Sequence, residues 1–188
     1  MMFTNKSYIF SFVFLLLAFQ IACGQNSNAP KNNEEKAGEK VDSRIDNLKK
    51  QADEMITAFN KSDFNKFVEF THPKIIEKVG GQENLISMMK KVFEDNPKIF
   101  ESVSASVGNS NVLVESEGLL FGVVPQKIEG TTHKKRKVVT NDCVVGVSND
   151  NGKTWKFVSG EKFDELFPSS KGKLQIIVRK TFVDGIEQ

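Results

Sequence analysis

The spacing of hydrophobic positions changes once along the chain, near Pro97. Before Pro97, apolar residues recur every three or four positions, which predicts amphipathic helices. After it, apolar residues alternate with polar ones or form short runs bounded by turn residues, which predicts strands, the last of them over residues 174–178. Pro125 lies inside one such run, so that run is expected at a sheet edge or a bulge. Helices followed by an antiparallel meander predict an α+β domain in which the helices cover one face of the sheet.

Capping residues and prolines mark where the helices begin and end. Asp42 or Ser43 can cap the first helix, because a short polar side chain accepts a hydrogen bond from the free N–H groups of the first turn. His72 precedes Pro73, and a residue before proline is pushed out of helical dihedrals. Pro73 itself suits the first position of a new helix. The helical half is therefore predicted to break at residue 72.

An eight-residue turn joins two predicted strands: Ser148-Asn149-Asp150-Asn151-Gly152-Lys153-Thr154-Trp155. Asp and Asn side chains bond to backbone N–H groups nearby, and glycine adopts positive φ without steric cost. The pattern Ser-x-Asp-x-Gly-x-Thr-Trp resembles the Asp-box, a hairpin motif of sialidase-type β-propellers. The resemblance implies structural roles for Ser148, Asp150, Gly152 and Trp155. A propeller needs several such blades, and the sequence shows one copy.

Residues 1–24 have the composition of a secretory signal peptide. Lys6 is their only charge, and residues 8–22 are almost continuously apolar. Ala22-Cys23-Gly24 resembles the lipobox of bacterial lipoproteins, which implies lipid attachment at Cys23 and a membrane anchor in the cell envelope. The match departs from the usual pattern at Gln20, where leucine is common. Ordinary cleavage after residue 24, giving a periplasmic or secreted soluble protein, is the alternative.

The rest of the sequence divides into a tether and one domain. Residues 25–41 are rich in Asn, Glu and Lys and contain few apolar residues, and such a segment cannot bury enough apolar surface to fold, so we expect a disordered tether. Residues 42–188 are long enough for a single domain with its own core.

Charge and cysteine content exclude several classes of protein. Lys and Arg number 26 against 24 Asp and Glu, so the overall charge gives no indication of nucleic-acid binding. Cys143 is the only other cysteine, and its apolar neighbours predict a buried thiol without a disulfide. Asp142 would then face solvent or a groove. No metal-ligand spacing and no cofactor motif is found, so neither a metal nor a cofactor is predicted.

The region from about residue 41 to residue 178 resembles the nuclear transport factor 2-like superfamily, a cone-shaped α+β fold shared with polyketide cyclases and ketosteroid isomerases. The resemblance is carried by the end of the first helix (residues 58–64), the break at His72-Pro73 and the closing strand at residues 155–158. It implies N-terminal helices packed on a curved antiparallel sheet, with an interior that can enclose a ligand.

Three functional hypotheses follow. The first is a domain that binds a small apolar ligand or an envelope partner without catalysis. The second is a polyketide cyclase-like or isomerase-like enzyme with His72 as base, which requires His72 inside the cone beside a second polar group. The isomerase pattern also needs a tyrosine, and the only one is Tyr8 in the signal segment. The third is an envelope interaction protein that uses a basic loop at residues 133–137, with Lys134, Lys135, Arg136 and Lys137. Oligomeric state is left open.

Overall fold

The computed structural model describes residues 42–188 except residues 96, 98, 111 and 178. The predictions for the signal peptide, for Cys23 and for the tether lie outside the described residues.

Four helices precede all the strands of the described region, and a fifth helix follows later. The helices are α1 (Ser43–Asn60), α2 (Phe64–Phe70), α3 (Pro73–Lys78), α4 (Gln82–Asp95) and α5 (Gly160–Leu166), and a 3₁₀ turn spans Pro168–Ser170. The strands are β1 (Phe100–Val107), β2 (Leu113–Ser116), β3 (Leu119–Thr132), β4 (Lys137–Ser148), β5 (Lys156–Ser159), β6 (Lys180–Val183) and β7 (Ile186–Glu187). The predicted fold class, α+β with N-terminal helices packed on a curved antiparallel sheet, is confirmed.

The predicted helix boundaries correspond to capping contacts. Asp42 accepts a hydrogen bond from the Arg44 N–H at 2.9 Å and begins α1. His72 occupies the N-cap of α3, with Pro73 in its first turn. Both positions have extended dihedrals, as the capping geometry requires. The break predicted at residue 72 is confirmed.

The sheet is built around the long pair β3–β4. Its strand order is β1-β3-β4-β6-β7, while β2 pairs with β3 and β5 pairs with β4. The β3–β4 register runs from Leu120 opposite Ser148 to Thr131 opposite Lys137. Along its outer side, each of the two central strands therefore pairs with two shorter strands, one after the other, and a gap separates these two shorter strands.

Pro125 lies inside the central strand β3, at the gap between β1 and β2. Its carbonyl accepts a hydrogen bond from the Gly108 N–H at 2.8 Å, on the side where β1 has just ended. The N and C=O of one strand residue point to the same side, so the missing N–H of proline removes no bond to β4. The expectation that Pro125 lies at a sheet edge is thus correct only at the gap between β1 and β2, since β3 as a whole is a central strand.

Both faces of the sheet are covered by apolar side chains. The helix-covered face holds a cluster with members from α1, α2 and α4, including Leu48, Met55 and Met89. The opposite face holds a second cluster around Phe121, with Phe163 of α5. Gly122 and Gly146 lie directly beneath Leu48, and a Cβ at either position would clash with its side chain. Glycine at these positions lets α1 approach the sheet closely.

The outer edge of β1 is closed by one side chain. The Asn60 amide donates to the Ala105 carbonyl at 2.8 Å, and its oxygen accepts from the Ala105 N–H at 2.9 Å. One asparagine therefore makes both hydrogen bonds that a neighbouring strand would make at this residue.

The strand predicted at residues 174–178 is wrong. Residues 174–177 form no strand, and β6 begins later, at Lys180. Leu174 is buried in the cluster around Phe163, and Ile176 packs against the same cluster. Burial of these side chains against α5 explains their apolar pattern without strand pairing.

Candidate functional site

A group of phenylalanine rings on the helix-covered face is the candidate binding surface. Phe59 of α1 and Phe93 of α4 meet edge to face with ring centroids 5.1 Å apart. Phe64 lies 5.0 Å from Phe93, and Phe67 lies 6.1 Å from Phe59. We call these four rings the phenylalanine cluster. Phe64 and Phe67 are buried, whereas Phe59 and Phe93 stay partly exposed, so the cluster presents aromatic surface to solvent.

The centre of the helix-covered face is filled by side chains. Met55, Met89, Val124 and Phe157 have no exposed surface. An apolar ligand would therefore contact the outer part of the domain, where Phe59 and Phe93 remain accessible, rather than the middle of the core.

Two grooves on the surface are open and are lined mainly by residues with charged side chains. One, of about 610 Å³, runs along α1 and is lined by charged residues that include Lys49, Asp53 and Glu54. The other, of about 620 Å³, lies on α4 between Glu83 and Glu94. Side chains of both signs alternate in these grooves, so neither selects one sign of ligand charge.

The prediction that Asp142 faces solvent or a groove is wrong. Asp142 is 4% exposed, and one carboxylate oxygen accepts hydrogen bonds from Arg179 Nε at 2.9 Å and Nη2 at 2.7 Å. The other oxygen accepts from the Cys143 N–H at 2.8 Å. Arg179 also pairs with Glu161 at 3.1 Å. Asp142 lies at the gap between β5 and β6. Its carboxylate accepts a hydrogen bond from the Cys143 N–H, a backbone group that neither of these two strands reaches.

Cys143 is fully buried, as predicted. Its thiol lies 3.7 Å from the Ile177 carbonyl. Burial raises the pKa of the Cys143 thiol to about 11. Since the thiolate is the nucleophilic form, this cysteine is unreactive at neutral pH.

The structure places His72 at a helix cap. Its Nδ1 accepts the Lys74 N–H at 3.1 Å, and its ring meets the edge of Phe167 at a centroid distance of 5.3 Å. Burial, together with the positive charges of Lys74 and Lys156, lowers the pKa of His72 to about 4. The imidazole is therefore neutral near pH 7, and its Nδ1 lone pair is already used by the cap.

The hairpin turn at residues 148–155 is closed by side-chain bonds to its own backbone. The Ser148 hydroxyl accepts from the Gly152 N–H at 2.9 Å and donates to Asp150 at 2.7 Å. Asp150 accepts from the Lys153 N–H at 3.1 Å and from the Thr154 N–H at 2.9 Å. The hydrogen bonds from Thr154, followed by that from Ser148, hold the pKa of Asp150 well below its ordinary value.

Helix α1 holds this hairpin in place. Asn47 donates to the Gly152 carbonyl at 2.6 Å, and Gln51 accepts from the Trp155 N–H at 2.9 Å. Trp155 is 1% exposed beneath the turn. The turn and the first helix therefore form one unit.

The basic loop lies at the opposite end of β4, and most of its charges are paired. Lys135 contacts Glu101 at 2.6 Å, Arg136 contacts Asp184 at 2.9 Å, and Lys137 contacts Glu129 at 3.3 Å. Lys134 is exposed and has no ion pair in the described part of the protein. The loop is therefore less cationic than its sequence suggests.

Metal sites and membrane-spanning helices are both absent from the described residues. No group of three or more His, Cys, Asp or Glu side chains there is arranged to hold a metal ion. No helix in residues 42–188, as far as these are described, has the length and hydropathy to span a bilayer.

Comparisons with known proteins give likenesses in structure only. No protein-family model matches the sequence, and no curated protein matches it. The protein is similar to the crystal structure of a conserved protein from Planctomyces limnophilus, with 14% identity, a TM-score of 0.37, and coverage of 61% of this chain and 97% of that one. It is also similar to a nuclear transport factor 2-like protein of unknown function from Burkholderia pseudomallei, with 17% identity, a TM-score of 0.36, and coverage of 67% and 98%. Neither similarity assigns a function.

Two features of the site do not follow from the sequence pattern. Nothing local marks Arg179 as the partner of Asp142, a residue 37 positions earlier. The sequence spacing of the phenylalanine cluster predicts that all its rings belong to the core, although the apolar face of α1 extends to Phe59 at its last turn. The position of Phe59 next to the helix end is the signal that could have indicated partial exposure.

Proposed function

We propose that this chain is an exported, lipid-anchored protein of the bacterial cell envelope whose domain binds a small apolar ligand without catalysing a reaction. Residues 1–24 supply the signal, Cys23 the acylated anchor and residues 25–41 the tether. The domain itself is of the nuclear transport factor 2-like class, with one Asp-box-like hairpin. Helix α1 begins at Ser43, directly after the proposed tether.

The observation that carries the binding role is the partial exposure of Phe59 and Phe93. Aromatic rings that remain accessible at the margin of a packed core gain free energy when an apolar molecule covers them, at roughly 25 cal/mol for each Å² removed from water. Ring edges and faces also favour aromatic partners. An apolar ligand of modest size fits this surface better than a charged one.

The polar groups considered for catalysis already have internal partners, which favours binding over chemistry. His72 uses Nδ1 to cap α3, Asp142 is bonded to Arg179, and the Cys143 thiol is buried. A general base needs its lone pair directed at a substrate proton. The enzyme hypothesis with His72 therefore finds no supporting geometry in the described residues.

Native mass spectrometry of the protein purified from its own cell tests the ligand proposal. We expect the wild type to retain a small molecule and Phe93→Ser to lose it. Ile186→Ser is the matched control, because Ile186 is 69% exposed on β7 and belongs to neither apolar cluster. Retention of the same molecule by Phe93→Ser, or an empty wild type, would contradict the proposal.

The anchor is tested separately by cell fractionation and intact mass. We expect the wild type in the membrane fraction with the added mass of acyl groups, and Cys23→Ser in the soluble fraction. Cys143→Ser is the control, since it removes the other cysteine and leaves the anchor intact. Membrane association of Cys23→Ser equal to that of the wild type would count against the anchor.

The position of the basic loop favours a second candidate function, capture of a polyanionic envelope partner. Arg44, three residues after the end of the proposed tether, donates to Asn151 in the hairpin at 2.8 Å. The loop lies at the other end of β4, about 36 Å away at roughly 3.3 Å per residue. The basic loop therefore lies at the end of β4 opposite the hairpin that contacts the start of α1. Retention on a sulfated polysaccharide column should be lost in the Lys134→Ser, Lys135→Ser, Arg136→Ser variant; unchanged retention would reject this candidate.

A further inference from the structure

The tip of the hairpin holds an asparagine followed by glycine. Asn151 has φ 58° and Gly152 has φ 81°, so both residues occupy the left-handed region, which asparagine and glycine adopt more readily than other residues. The Asn151 residue is exposed. An amide side chain followed by glycine is open to attack by the next backbone nitrogen, because glycine has no side chain to hinder the approach. We propose that Asn151 is a deamidation site that the folded hairpin holds closed through Ser148.

The reaction needs only water. The Gly152 nitrogen loses its proton and bonds to Cγ of Asn151, and the bond between Cγ and Nδ2 breaks with release of ammonia. The resulting five-membered succinimide is then opened by water at either of its two carbonyls. One product is aspartate, and the other is isoaspartate, in which the backbone passes through the former side chain.

Two contacts oppose this attack in the folded protein. The Gly152 N–H donates to the Ser148 hydroxyl at 2.9 Å in a buried position, so the attacking nitrogen is directed away from Cγ and keeps its proton. The Asn151 amide oxygen accepts from Arg44 Nη1 at 2.8 Å, which fixes the side chain on the α1 side of the turn. Attack therefore requires the hairpin to open first, and its rate follows the free energy of that local opening.

Either product would leave a lasting change at this end of the domain. A new carboxylate would lie one residue from Asp150, and isoaspartate would add a methylene to the backbone of the hairpin turn. Because the added backbone atom directly precedes Gly152, isoaspartate should disturb both the Ser148–Gly152 bond and the Asn47–Gly152 bond. The site thus records past opening events of the hairpin in covalent form.

Peptide mapping by mass spectrometry tests the proposal on the full-length protein incubated at mildly alkaline pH. We expect slow conversion of Asn151 in the folded wild type and fast conversion in urea. Ser148→Ala should convert at least about tenfold faster than the wild type, because loss of a buried bond partner shifts local opening by about that factor. Thr154→Val is the matched control, since it removes a turn hydrogen bond that does not involve Gly152, and it should convert nearly as slowly as the wild type.

Two results would overturn the proposal. One is conversion of the folded wild type as fast as the urea-unfolded protein. The other is equal conversion in Ser148→Ala and Thr154→Val. If Ser148→Ala does not fold, the wild type in increasing sub-denaturing urea replaces it: the conversion rate should rise before global unfolding, and a rate that stays flat until the main transition rejects local opening of the hairpin.

Discussion

The two turns at the ends of β4 are held in place by different means. The hairpin turn at residues 148–155 is closed by Ser148 and Asp150, whose partners lie within four residues along the sequence. The turn at residues 132–137 also has local hydrogen bonds at Thr132, but its charged side chains Lys135 and Arg136 pair with carboxylates that are 34 and 48 residues away. Local hydrogen bonds to backbone N–H groups are specified by the turn itself. Exposed ion pairs depend on the whole fold and weaken with salt.

Among the variants that test this comparison, Trp155→Ala is expected to lower the free energy of unfolding the most. Trp155 is 1% exposed beneath the hairpin, so removal of its ring leaves a cavity that should lower the free energy of unfolding by about 3–5 kcal/mol. Urea denaturation followed by circular dichroism measures the loss. A change under about 1 kcal/mol would show that the hairpin end is not packed as described.

A smaller effect is expected from Ser148→Ala, with Thr132→Ala as its counterpart in the basic turn. Ser148 is 2% exposed and bonds the Gly152 N–H, so the buried donor loses its partner at a cost of about 1–3 kcal/mol. Thr132 accepts the Arg136 N–H at 3.1 Å in an exposed setting, where water replaces the lost bond. Equal losses in the two variants, by urea midpoint, would contradict the comparison.

Acid and salt should separate Asp150 from Asp184. Hydrogen bonds from Thr154 lower the pKa of Asp150, and the bond from Arg136 lowers that of Asp184, both below the ordinary 3.8. A lowered carboxyl pKa stabilises the fold above 3.8, and this stability is lost as pH falls below that value. Asp150→Asn and Asp184→Asn should each flatten the decline of the urea midpoint below about pH 4. Added salt at neutral pH should weaken only the contribution of Asp184, since Asp150 is held by uncharged groups.

The smallest effect is expected from Lys134→Ala. Lys134 lies at the tip of the basic turn without an ion pair among the described residues, so its removal should leave the urea midpoint unchanged. Lys135→Ala, which breaks the contact to Glu101, provides the comparison within the same turn. A marked loss in Lys134→Ala would reveal a contact that the described structure does not contain.

The local parts of the fold could be predicted, and the long-range parts could not. Asp42, His72 and Gly152 act on neighbours within a few residues, and their roles at caps and turns follow from residue type. Asp142 is buried because Arg179 reaches it across the gap between β5 and β6, a relation that alternation along β4 does not contain. In the same way, residues 174–177 have a strand-like pattern, yet Leu174 and Ile176 pack in the cluster that includes Phe163 of α5.

The candidate site follows the same division. The spacing of apolar residues predicts the apolar faces of α1 and α4, because residues on one face of a helix recur with a period of 3.6. Which members of those faces stay accessible depends on how the two helices meet, and Phe59 and Phe93, which contact each other, remain only partly buried. Sequence patterns indicate which side of an element is apolar, and packing decides how much of it remains in contact with water.

The Asn60 side chain that closes the edge of β1 bears on how the protein behaves at high concentration. An unpaired strand edge can template the addition of a second strand, and proteins crowded together meet such edges often. By occupying both the N–H and the carbonyl of Ala105, one amide interrupts the row of free groups that a second strand would need. We therefore expect Asn60, a residue of the helix layer rather than of the sheet, to hinder strand addition at this edge.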